Sequence, residues 1–164
     1  MVLSQLSART RNLIVNSGYI ATIGVSGLVL CAIGSNLNDI SHQVQVDITT
    51  LGGCAFMARG IGSILGSIAS ASIFHYFQGD QILQCGLVGI SFLLSVIPSV
   101  TSARQLYVYF FLLGLCSSVN DTGCNIMVRR LRGLQAGPWL GMNGISFGMS
   151  AAIVPIVELI STQF

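Results

Sequence analysis

Charge is missing from this chain over distances that matter physically. No charged side chain occurs between Arg11 and Asp39, none between Asp80 and Arg104, and only Asp121 between Arg104 and Arg129. About 20 apolar residues carry a helix across a bilayer, and uncharged runs of this length are the mark of such helices. Strands are not expected, because the runs are too long and do not alternate. Only 7% of the residues are charged, where a soluble domain carries about 25%. So few charges cannot cover the surface of a water-soluble fold of 164 residues. The fold class is therefore an all-α integral membrane protein in direct contact with the lipid bilayer.

Five transmembrane helices are expected, over 13–35, 50–77, 81–103, 105–128 and 138–160. Arg59 interrupts the second, and Pro138 suits the first turn of the fifth. The connections are short, apart from a loop around 36–49 that holds Asp39, His42 and Asp47. The chain has no lysine, and its seven basic residues are all arginines. Arg9 and Arg11 precede the first helix, and Arg129, Arg130 and Arg132 lie between the fourth and fifth. The excess of arginine on cytoplasmic loops then sets the N-terminus in the cytoplasm. The formal net charge of +2 reports this topology, and no nucleic-acid partner is expected. The first segment is too long for a signal-peptide core and has no clear cleavage site, so it reads as a retained helix.

Asp121 heads the string Asp121-Thr122-Gly123-Cys124-Asn125. An ionisable group at bilayer depth costs about 2.5–3.5 kcal/mol on insertion scales and by default marks a functional site. Ser117, Asp121 and Asn125 recur every four residues and share one helix face, with Asn120 beside it. At 1.5 Å per residue Asp121 lies ~12 Å from Arg129, and Arg59 lies ~14 Å into the second helix. The two depths are similar. Three readings stay open: an Arg59–Asp121 salt bridge, a polar cavity whose carboxylate and amides bind hydroxyls, or coordination of sodium or a proton by Asp121. On the fifth helix Asn143 adds an amide, and Trp139 suits the membrane interface.

The remaining polar residues have plainer explanations. The five cysteines stand singly in apolar runs, with no metal or redox spacing. His75 and Tyr76 fall at a helix end, and Glu158 lies near the outer end of the fifth helix. Gly62, Gly66 and Ser70 form small-xxx-small steps, as do Gly137/Gly141 and Gly144/Gly148, and such steps let membrane helices pack closely. No nucleophile–base pair, metal cluster or phosphate loop is visible, so neither an enzyme nor a bound cofactor is expected.

In order and spacing, several strings together resemble the major facilitator superfamily, and within it the sodium-dependent glucose transporter-like carriers related to fucose permeases. They are Gly34-Ser-Asn-Leu-Asn-Asp39, Ala58-Arg59-Gly60-Ile-Gly62 with Gly66-Ser67, Asp121-Thr-Gly-Cys-Asn125, Gly137-Pro138-Trp139, and Ser146-Phe147-Gly148 with Pro155. The resemblance implies a secondary carrier of a glucose-like sugar, coupled to sodium or protons. It implies that Asp121 and Asn125 face a central cavity, that Asp121 matches an acid linked to sugar and proton binding, and that Asp39 and Arg59 match an acidic and a basic position of this branch. It also implies a plasma or endosomal membrane.

Departures from the pattern are specific. The loop after the second helix reads Gln78-Gly79-Asp80-Gln81 and lacks the superfamily's basic residues, and Val154-Pro155 replaces the antiporter Gly-Pro. The expected organisation is a cytoplasmic tail over 1–12 and, over 13–164, part of the N-terminal six-helix half of a major facilitator fold. Carriers of this type place substrate between two halves. A missing C-terminal half, or other membrane helices, is then the expected partner besides the sugar. The alternative is a truncated, non-transporting protein that acts through helix association or has no activity.

Overall fold

The computed structural model describes residues 8–161. The chain before Ala8, the chain after Ser161, and the side chains of Ala8, Arg9, Glu158 and Ser161 lie outside the described residues. Among the described residues every regular element is a helix: α1 (Ala8–Ser35), α2 (Leu37–Val44), α3 (Ile48–Tyr76), α4 (Gly79–Val96), α5 (Ala103–Arg132) and α6 (Gly137–Ser161), with single 3-10 turns at Ile97–Ser99 and Gly133–Gln135. The all-α membrane fold expected from the uncharged runs is the fold observed.

Four stretches, Thr10–Ser35, Ile48–Tyr76, Gly79–Ser99 and Gly137–Val157, combine the length and the hydropathy of membrane spans. Helix α5 has ample length at 30 residues. Its hydropathy is lowered by the polar string around Asp121, so four helices, not the five expected, combine span length with span hydropathy among the described residues. The chain is an integral, multi-pass membrane protein.

Helix ends follow local chemistry. Asp47 precedes α3, and its Oδ2 accepts from the Thr49 and Thr50 backbone N–H groups at 3.1 and 3.4 Å, satisfying two donors that a helix start leaves free. Helix α4 runs into the 3-10 turn containing Pro98, which cannot donate onward. After α5, Gly133 takes a φ of +55°, the left-handed conformation that glycine adopts without penalty. Pro155 lies inside α6, as membrane helices permit.

Two boundaries differ from the sequence expectation. Helix α1 begins at Ala8 rather than Leu13, so part of the expected tail is helical. The stretch expected as a loop around 36–49 contains α2. This two-turn helix has Asp39 in its first turn, buries Ile40 and Ser41, and stops where Gln45 turns left-handed at φ 56°. A helix this short escapes a search for long apolar runs.

The chain divides into two compact units. One comprises Ala32–Gly123, and the other comprises the described residues up to Cys31 together with those from Cys124 onward.

Candidate functional site

In the unit 32–123, glycines bring α3 and α5 together main chain to main chain. A Cβ on Gly62 would meet the Phe111 carbonyl, and one on Gly114 would meet the Arg59 carbonyl. One on Gly66 would lie 2.6 Å from the Leu115 carbonyl. Such proximity lets short hydroxyls bridge the helices. Ser63 Oγ donates to the Gly114 carbonyl at 3.3 Å, and the Ser67 and Ser118 hydroxyls share a hydrogen bond at 2.6 Å. Ser70 donates back to Gly66 at 2.7 Å within its own helix.

The same crossing holds the charged pair. Arg59 on α3 and Asp121 on α5 are both half-buried, and Asp121 is the charge that acts on the Arg59 guanidinium. The backbones are not level: the Arg59 carbonyl lies against Gly114, seven residues before Asp121 on α5. Arg59 Nη1 is buried and makes no hydrogen bond among the described residues. One charge of each sign is thus carried by neighbouring helices within electrostatic reach of each other.

Asn120 serves a different neighbour. It is fully buried, and its amide reaches α4, where Gly86 leaves the room that a Cβ would fill. With the amide turned so that both of its atoms are satisfied, Nδ2 donates to the Leu83 carbonyl at 3.1 Å and Oδ1 accepts from the Leu87 N–H at 3.2 Å. Leu83 and Leu87 are the two ends of one helical hydrogen-bond step, so Asn120 brackets that step and ties α5 to α4. Gly123 lies against both neighbouring helices, since a Cβ there would meet the Phe74 ring of α3 and the Leu83 side chain of α4.

Asp39 is exposed on α2. It borders a cavity of about 350 Å³ with Asn36, Gln43, Leu94, Ile97 and Pro98 among its walls. Gln43 Nε2 donates to the Pro98 carbonyl at 2.7 Å and closes one side. Neither Asp121 nor Arg59 lines this cavity.

In the other unit, the two remaining candidates meet. Asn143 Nδ2 on α6 donates to Asn125 Oδ1 on α5 at 3.0 Å. Asn143 is 2% exposed, and its Oδ1 makes no hydrogen bond among the described residues. The same holds for both amide atoms of Asn16 and for Ser26 Oγ on α1. Buried polar groups of this kind are costly in an apolar surround and seek water or a polar ligand.

Helices α1 and α6 meet at Gly24 and Gly27. A Cβ on Gly24 would lie 2.8 Å from Ser146 Oγ, one on Gly27 would meet the Phe147 carbonyl, and Ser146 Oγ donates to the Ile20 carbonyl at 3.0 Å. Sequence reasoning missed these α1 glycines, although their spacing of three residues was visible. It also expected the α6 glycines to pack. Among the described residues, Gly137, Gly141, Gly144 and Gly148 instead have nothing within 4 Å of an added Cβ, and only 6% of the α6 span is buried.

The chain is similar to sodium-dependent glucose transporters. It is 28% identical over 131 residues to sodium-dependent glucose transporter 1 of Danio rerio, a match covering 80% of this chain and 22% of that protein. It is 24% identical over 139 residues to sodium-dependent glucose transporter 1A of Mus musculus, covering 85% and 32%. With sodium-dependent glucose transporter 1 of Xenopus laevis the identity is 27% over 142 residues, covering 84% and 28%. The chain therefore spans 22–32% of the length of these three relatives. They are transporters by name and not enzymes, in keeping with the non-enzymatic reading of the sequence. No protein-family model and no solved structure matches the chain.

Proposed function

We propose that this chain contributes helices to a secondary carrier of major facilitator type that moves a small polar solute, a glucose-like sugar, coupled to sodium or protons. The observation that carries the reading is the half-buried Arg59–Asp121 pair at the glycine-lined α3–α5 crossing. Intramembrane charges are expensive and are kept where ions or substrates pass. The similarity to sodium-dependent glucose transporters adds the class of solute.

In this reading Asp121 takes the coupling ion or sugar hydroxyls, and Arg59 tunes its charge. The Asn125–Asn143 amide pair offers a free Oδ1 to a sugar hydroxyl. Asn120 holds α5 in register against α4, and Asp39 lies at the outer end of the first span with the N-terminus cytoplasmic, in a plasma or endosomal membrane. The test is Asp121→Asn in the complete carrier: coupled sugar uptake is lost while surface expression is kept. Normal uptake by the variant would sink the assignment.

A second reading, association with other membrane helices without transport by this chain, is favoured by the open glycine face of α6. Cysteine cross-linking from Gly144 distinguishes the two. Cross-links to another membrane helix, together with normal uptake by the Asp121→Asn variant, would favour association alone.

A further inference from the structure

Helix α5 ends in a basic turn containing Arg129, Arg130 and Arg132, where cations complement the helix dipole. Arg132 is held in a distinctive way. Its guanidinium carbon sits 4.4 Å from the centroid of the Trp139 ring, a cation–π distance. Its Nε and Nη2 are buried and make no hydrogen bond among the described residues. Those two nitrogens form one edge of the guanidinium, the planar fork that matches two oxygens of a phosphate.

The surroundings favour an anion from the membrane. No acidic residue occurs between Asp121 and Glu158, so this stretch supplies no carboxylate to the fork. Arg129 beside it is exposed. Leu134, in the turn Gly133–Gln135, is fully exposed, and Trp139 opens a membrane-spanning helix. An exposed leucine and a tryptophan at the mouth of a span belong at the bilayer interface, where the abundant phosphoryl groups are lipid headgroups.

We propose that Arg132, pinned by Trp139, binds the phosphate of an anionic membrane lipid at the α5–α6 turn. Trp139 fixes the plane of the fork, Arg132 makes a bidentate contact, and Arg129 adds charge at the rim. The proposal does not depend on the transport reading.

Trp139 is the only tryptophan of the chain, so its fluorescence reports this site directly. The experiment places the whole chain in phosphatidylcholine bilayers containing a fixed fraction of dibrominated lipid, either phosphatidylglycerol or phosphatidylcholine. Phosphatidylglycerol should associate about five-fold more strongly by quenching (about 1 kcal/mol per basic contact). Arg132→Gln should abolish this preference, Arg132→Lys should keep only part of it because the fork is lost, and Arg104→Gln should leave it unchanged. Equal quenching by the two lipids in the unaltered chain, which needs no variant, overturns the proposal. So does a preference that survives Arg132→Gln. Inorganic phosphate, titrated against chloride at constant ionic strength, separates the sources. No displacement supports the lipid headgroup, and displacement of the preference overturns the lipid assignment in favour of a soluble phosphate ligand.

Discussion

The α-carbon of Gly114 lies against the backbone carbonyl of Arg59, so a methyl group at Gly114 would overlap the α3 main chain. The contact sets how closely α3 and α5 approach, and thereby the placement of both charges at the crossing. Because the atoms met all belong to the Arg59 backbone, the overlap cannot be relieved by a rotamer change. Gly114→Ala is expected to destabilise the chain in detergent by about 1–3 kcal/mol, the usual cost of overpacking. Gly144→Ala, with open space around it, is expected to be neutral in the same unfolding assay. Equal effects of the two substitutions would contradict the close crossing.

The Asn125–Asn143 hydrogen bond joins two helices through amides alone. Interhelical hydrogen bonds in membranes average about 0.6 kcal/mol and reach about 1.7. A double-mutant cycle with Asn125→Ala and Asn143→Ala should return a coupling energy in that range. Coupling indistinguishable from zero would mean the amides do not pair in the membrane.

Asp47 gives a more local prediction. Its carboxylate satisfies two donors at the start of α3, and replacing such a cap by alanine costs about 0.5–2 kcal/mol. In Asp47→Ala, hydrogen exchange at the Thr49 and Thr50 amides should accelerate, while Asp47→Ser should keep most of the protection. Unchanged exchange in the alanine variant would show that the cap contributes nothing to the helix start.

The parts of this fold that were legible in the sequence share one property: they depend on a single run of residues. Uncharged length defined the helices, the spacing of Gly62 and Gly66 marked a packing face, and counting along each helix brought out Arg59 and Asp121 as a candidate pair. Pairings between distant segments were less visible. Asn120 follows the polar stripe in sequence, yet its amide serves the α4 backbone, and only the neighbouring helix decides that. Gly24 and Gly27 became meaningful once Ser146 and Phe147 were seen against them. The glycines of α6 carry the same spacing as those of α3 but stand open, because a small-residue step permits a close neighbour without specifying one.

The Arg59–Asp121 pair allows structure and function to be separated by one set of variants. Removing one member of a buried pair leaves the other charge uncompensated and costs about 3–5 kcal/mol, whereas replacing both by uncharged residues of similar size is often neutral. Arg59→Met alone should therefore lower stability and yield. Adding Asp121→Asn should recover much of the loss, because no lone charge then remains at bilayer depth. If the pair serves only to hold α3 against α5, the double variant should recover sugar uptake in the complete carrier as fully as it recovers stability. On the transport reading the two readouts part: unfolding in detergent returns towards that of the unaltered chain, and coupled uptake stays absent because no carboxylate is left to exchange an ion. Uptake restored together with stability would reduce the pair to a structural bridge and move the search for the coupling site away from α5.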